Sequence, residues 1–168
     1  MPDVINVDGT VRQDDWVVVP RPEDGESLDI PSDQPALIPA DLWLAGYEHF
    51  TGNDRIGVWF DSHDEPEMIA DKVNELPLIG VNFPRFVDGR GYSIARLLRE
   101  RFGYQNELRA IGDVLLDQLQ FMKRCGFDSY VLRADKDISQ AAKCLNFFSQ
   151  GYQAATDTDL PLFRRRAG

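Results

Sequence analysis

After residue 55 the chain alternates short apolar runs with amphipathic segments, and this pattern limits the architectures open to it more than any other feature. Ile56-Gly57-Val58-Trp59-Phe60, Leu78-Ile79-Gly80-Val81-Asn82-Phe83, Leu108-Arg109-Ala110-Ile111 and Tyr130-Val131-Leu132 have the length and β-branched or aromatic content of buried strands. Between and after them, apolar residues recur at helical spacing. They are Ile69, Val73 and Leu76; then Ile94, Leu97, Leu98 and Phe102; then Leu115, Leu119 and Met122; and last Ala141, Cys144, Leu145 and Phe148. Asp64 with Glu67, Ser93, and Asp137 with Gln140 are placed as helix N-caps. The pattern predicts an α/β fold of four consecutive βα units forming a mainly parallel sheet. Four units make either half of a (βα)8 barrel or an open doubly wound sheet, and a half-barrel leaves edges that invite a homodimer.

The region before this repeat reads differently. Residues 1–50 form an acidic, partly irregular segment expected to pack on the βα domain of residues 51–155, and 156–168 is a basic tail ending in Arg164-Arg165-Arg166. Pro20, Pro22, Pro31 and Pro35 leave residues 1–35 loose except for one short strand at Trp16-Val17-Val18-Val19, and Pro39 opens a short helix through Ala45. Charge divides along the same line. Residues 1–77 hold 18 acids and 4 bases, whereas residues 78–168 hold 10 acids and 14 bases. The overall charge of −10 argues against a general nucleic-acid binder. No apolar run approaches the roughly 18 residues of a membrane span, and the first twenty residues lack the basic flank and apolar stretch of a signal peptide. Two cysteines, Cys125 and Cys144, make no disulfide framework, and a cytoplasmic location is expected. Both read as buried structural residues, and Phe121-Met122 and Phe147-Phe148 as core.

Ligands of such folds bind at the C-terminal ends of the strands. There stand Asp61, Asp88, Asp113 and Asp135, each also a natural N-cap. Asp117 lies one turn after Asp113, and the pair is eased by a cation or an arginine between them. Asp88-Gly89-Arg90-Gly91-Tyr92-Ser93 is a glycine loop running into a helix, a setting that lets backbone approach an anion. Arg85, Arg90, Arg96, Arg99 and Arg101 surround it, with Arg109 on the next strand, and the planar guanidinium suits bidentate oxyanion binding. The expected ligand set is Gly89, Arg90, Gly91, Tyr92, Ser93, Arg96, Arg109 and Gln118. A competing expectation is that these arginines pair internally with Asp88, Glu100, Glu107, Asp113 and Asp117. The loop is neither a dinucleotide fingerprint nor a P-loop, and no cofactor is expected. His49 and His63 have no ligand spacing, so no transition-metal site is expected.

The run from Phe83 to Arg101 resembles the signature of DUF934, a bacterial family of unknown function sometimes labelled a probable oxidoreductase. The resemblance continues through Gly103-Tyr104, Glu107 to Val114, Asp117-Gln118 and Arg124 to Asp128, and spans roughly residues 40–150. Members are typically encoded beside sulfite/nitrite reductase and phosphoadenylyl-sulfate reductase. The resemblance therefore implies an accessory role in assimilatory sulfate and sulfite reduction, binding a small oxyanion or the acidic surface of a partner such as sulfite/nitrite reductase. The alternative is a small βα-scaffold enzyme using Asp88, Asp113 and Asp117 to hold a divalent metal or as acid and base.

Overall fold

The apolar runs form strands because their side chains alternate between two dry faces. In a computed structural model describing residues 2–85, 87–146 and 155–156, eight strands join in one sheet. They are β1 (Asp3–Asn6), β2 (Val11–Gln13), β3 (Val17–Val18), β4 (Ala36–Pro39), β5 (Ile56–Phe60), β6 (Leu78–Phe83), β7 (Glu107–Gly112) and β8 (Ser129–Tyr130). Their spatial order is β2-β1-β8-β7-β6-β5-β4-β3. From β3 to β8 every pairing is parallel, and β1 is antiparallel to both β2 and β8. Strand order never reverses along the parallel stretch, so the doubly wound alternative is overturned. The sheet is mixed and curls into a half-barrel.

The outer face of the curl carries Ile38, Val58, Phe60, Ile79, Val81, Leu108 and Ala110. The helices α1 (Ala40–Ala45), α3 (Arg90–Arg96) with the π-helical turn Leu97–Arg101 that continues it, α4 (Leu119–Cys125) and α5 (Ala141–Leu145) cover it through Trp43, Ala95, Leu98, Met122 and Leu145. A short α2 (Tyr47–Phe50) follows α1. The inner face carries a separate cluster of Leu37, Trp59, Leu78 and Ile111, with Trp16 and Val131 packed on it. Each fully buried valine, leucine, isoleucine, phenylalanine or methionine among them contributes about 1.5–3 kcal/mol. Among the described residues no helix is long and apolar enough to cross a membrane.

The two edges of the sheet belong to adjoining pieces of chain. The Asp14 N–H donates to the Pro2 carbonyl beside β1, and the Val17 N–H donates to the Pro35 carbonyl beside β4. Three residue steps span at most about 11 Å. Residues 14–17 therefore strap the open side of the curl.

Several expectations need correction. Residues 2–13 are not loose, since Val4-Ile5 pair with β2 across an Asp8-Gly9 turn and sit fully buried, while residues 20–35 carry neither strand nor helix, as expected. The four-unit βα repeat is less regular than expected, because its helices are few and short. Ile69, Val73 and Leu76 do face the core, but their backbone forms two 3₁₀ turns, Pro66–Ile69 and Val73–Glu75. Pro66 opens the first, and Pro77 forces Leu76 into an extended conformation, leaving no room to propagate an α-helix. The expected Asp64–Glu67 cap is absent, because Asp64 instead accepts the Asp61 N–H at 2.7 Å. β8 stops at Tyr130 because the chain turns to bond the Arg133 N–H to the Val114 carbonyl. Met122 is core, but Phe121 is more than half exposed. Asp137 caps as expected, accepting the Ser139 N–H at 2.9 Å. Phe147-Phe148 and the Arg164–Arg166 tail lie outside the described residues.

Candidate functional site

The glycine loop leaves β6 at Phe83 and enters α3 one turn earlier than expected. Arg90, not Ser93, begins the helix, and Ser93 lies exposed within it. Asp88 does the anchoring: its carboxylate accepts the Arg90 backbone N–H at 3.1 Å, Arg90 Nε at 2.9 Å and Arg90 Nη2 at 2.7 Å. These bonds, led by the Arg90 guanidinium and joined by Ser62, hold the Asp88 carboxyl well below the usual carboxylate range. Gly91 serves packing. A Cβ there would lie 2.7 Å from the Phe83 ring, so only glycine lets α3 settle on the end of β6. Tyr92 packs between Phe83 (5.1 Å between centroids, tilted) and the exposed Phe121 (4.8 Å, edge-on), and its burial, aided by Cys125 and Asp117, raises its phenol pKa.

The arginines do not form one cluster. Arg96 pairs with Glu100 at 2.9 Å on the outer side of α3. Arg99 is spent on the carbonyls of Gly126 (2.9 Å), Tyr104 (2.7 Å) and Asn106 (3.0 Å) and on the Asp128 carboxylate. Arg101 lies 3.8 Å from Glu67. Arg109 is furthest from the expected role, being wholly buried on the inner face. Its Nη1 donates to Asp14 Oδ1 at 2.7 Å, its Nη2 to Glu107 Oε1 at 2.8 Å, and its Nε to Ser129 Oγ at 3.2 Å. Arg12 adds a second bond to Glu107 at 2.6 Å. Burial opposes the charge on Glu107, but Arg109, Ser129 and Arg12 outweigh it and lower its pKa. The competing expectation of internal pairing describes Arg90, Arg96 and Arg109 well.

The loop does build one open feature. Arg85, Val87, Asp88, Gly89 and Arg90 enclose, with His63 and Pro84, a cleft of about 530 Å³ between the ends of β5 and β6. Arg90 keeps just over half of its side chain exposed there, with Nε and Nη2 turned to Asp88.

The carboxylates follow the strand ends as expected but are already partnered. Asp61 accepts Asn82 Nδ2 at 3.1 Å and the Ser62 N–H at 2.8 Å. Arg133 bridges Asp113 (2.8 Å) and Asp135 (2.6 Å), which lowers the pKa of Asp135. Arg21 joins Asp41 (2.5 Å) and Asp64 (3.2 Å) while lying over the Trp59 ring at 5.8 Å. Asp117 is exposed in the 3₁₀ turn Leu116–Gln118, where Gln118 Oε1 accepts the Leu115 N–H at 3.1 Å. Among the described residues no three His, Cys, Asp or Glu side chains are placed to hold a metal ion, so Asp88, Asp113 and Asp117 do not combine into such a centre. The rim residues missed from sequence are Arg21, Asn82, His63 and Arg133. Asn82 and Arg133 sit at strand ends, where the rule that found the aspartates would also have found them.

Residues 57–163 match the family model described as a bacterial protein of unknown function, DUF934, and this is more than half of the chain. Comparison with curated proteins and with solved structures found no match.

Proposed function

The chain belongs to the DUF934 family, and we propose that it is an accessory binding protein of assimilatory sulfate and sulfite reduction, whose rim cleft takes a small oxyanion or an acidic group on a partner. The carrying observation is the cleft at the ends of β5 and β6, where Arg85, Arg90 and His63 face one space of about 530 Å³. Two guanidinium groups and an imidazole can hold an oxyanion by charge-assisted hydrogen bonds. Asp88 takes the Nε and Nη2 donors of Arg90 and so orders the side chain in advance, which lowers the cost of binding through its remaining edge. Arg96 and Arg109, paired elsewhere, have no part in this reading. The sulfur pathway comes from the genetic company that the family signature implies. The geometry favours binding over acid–base chemistry, since Asp88 and Asp113 are tied to Arg90 and Arg133.

Thermal unfolding with sulfate, sulfite, phosphate and adenylyl sulfate tests the anion reading. At a hundredfold excess over Kd a bound anion stabilises by about 2.7 kcal/mol. For a chain of this size that is a rise of roughly 5–11 °C. Arg85→Ala and Arg90→Ala should abolish it. No rise with any of these anions, or a rise unchanged in both variants, overturns the anion reading. Co-purification with sulfite reductase, wild type against the same two variants, tests docking separately.

A further inference from the structure

The strand register sets the inner face out in rows. Leu37, Leu78 and Glu107 share the row nearest the strand starts, and Trp59 and Arg109 the next, where Arg109 bonds Asp14, Glu107 and Ser129. Ile111 and Asn82 form the row above. At the C-terminal ends of β6, β7 and β8 the packing stops. A cleft of about 500 Å³ opens there under the strap of residues 14–17, lined chiefly by Trp16, Val18, Gln34, Asn82, Ile111 and Val131. It is separate from the arginine cleft, whose lining residues it does not share. Strand ends on the inside of a curled parallel sheet are where such scaffolds hold ligands, and this volume is that of a small-molecule site.

The lining states what fits. The apolar lining is an indole, three valines, an isoleucine and a proline, which favour a flat apolar body. Gln34 and Asn82 each bring a carboxamide, a donor and an acceptor in one plane, which complements an amide or amidine edge. Asn82 is held in place by its bond to Asp61 and by Gly112, whose lack of a Cβ leaves room for Asn82 Oδ1. The charged residues among the lining are Asp14 and Asp15, with no lysine, arginine or histidine. Asp14 is neutralised by Arg109, so the remaining charge is that of Asp15, which repels anions.

We propose that this cleft binds an uncharged planar heterocycle with an amide-type edge, of the nucleobase class. It does not rest on the oxyanion reading, because different residues and the opposite charge preference carry it.

Saturation-transfer NMR on the full chain, with adenosine, guanosine, uridine and cytidine as probes and cyclohexanol as an apolar control, tests it. At least one nucleoside should receive saturation, and cyclohexanol should not compete with it. Val18→Phe fills the cleft from an exposed position, and Gln34→Leu removes one carboxamide without adding bulk. Each should weaken binding at least tenfold with the melting temperature little changed. Should Val18→Phe unfold the chain, Gln34→Leu alone decides. No transfer to any nucleoside, equal competition by cyclohexanol, or binding unaltered by Gln34→Leu overturns the proposal. Sulfate stabilisation in the same samples reports the other cleft, so the two readings fail separately.

Discussion

Replacing Arg109 by methionine should be among the most damaging single changes in this protein. The substitution keeps the aliphatic stem and removes the guanidinium from a site with no solvent access. Its partners then fare unequally. Glu107 is 30% exposed and retains Arg12 at 2.6 Å and Ser129 at 2.6 Å, so it loses little. Asp14 is only 4% exposed and loses its one described ion pair, keeping the Trp16 N–H at 3.1 Å. A buried charge left in that state costs about 3–5 kcal/mol. At roughly 2–4 °C per kcal/mol for a chain of this length, melting should fall by about 6–20 °C. Asp14→Asn in the Arg109→Met background should restore much of the loss, because the stranded charge is gone. Guanidinium titrations of wild type, both singles and the double, followed by tryptophan fluorescence, close the cycle. A loss below about 1 kcal/mol for Arg109→Met, or a double variant as unstable as the sum of the singles, would refute the view that this pair works as a unit.

Other outcomes follow from the same geometry. Glu107 has a lowered pKa when folded, so the stability it confers is present above its unfolded value near 4.5 and is lost as pH falls through the lower folded value. Glu107→Gln should therefore flatten the acid limb of a stability–pH curve below about pH 4.5, and an unchanged acid limb would contradict this. Gly112 has φ +90°, and a Cβ there would lie 2.4 Å from Asn82 Oδ1 and 2.6 Å from the Phe83 carbonyl oxygen. Gly112→Ala should cost at least about 2 kcal/mol in a urea titration, and a cost below about 0.5 would sink the steric account. Arg99→Lys preserves charge but cannot reach three carbonyls and a carboxylate together. It should lose about 2–3 kcal/mol, with faster amide exchange at Gly126–Asp128, and full stability would show those bonds to be idle.

Strands β3 and β5 to β8 were legible because each falls in a short apolar run. β1, β2 and β4 were not. Val4-Ile5 and Val11 flank an Asp-Gly turn, a strong hairpin signal, but the surrounding acids and prolines read as a loose segment. Ala36-Leu37-Ile38 sits between Pro35 and Pro39, where no strand was expected, although proline is tolerated where a strand ends. The arginines show the limit most clearly. Pairings at close range, such as Arg90 with Asp88 and Arg96 with Glu100, follow from local spacing. Arg109 lies on the face opposite Leu108 and Ala110, which period-two alternation does state. That this face is dry depends on the sheet curling, and its partner Asp14 is 95 positions away. Composition and spacing carry no trace of that pairing.

The strap across the open side also sets an order of assembly. β1 finds its partners in β2, a few residues on, and in β8, whose residues 129–130 are synthesised late. The hairpin of residues 3–13 is synthesised before Tyr130 and can take its place beside β8 only after Tyr130 has followed, with the apolar Val4 and Ile5 waiting for that partner in the meantime. Closing so long a loop is slow compared with forming the local βα contacts between. Asp3, Asp8, Asp14 and Asp15 flank the part that waits, and like charge disfavours association of exposed apolar segments.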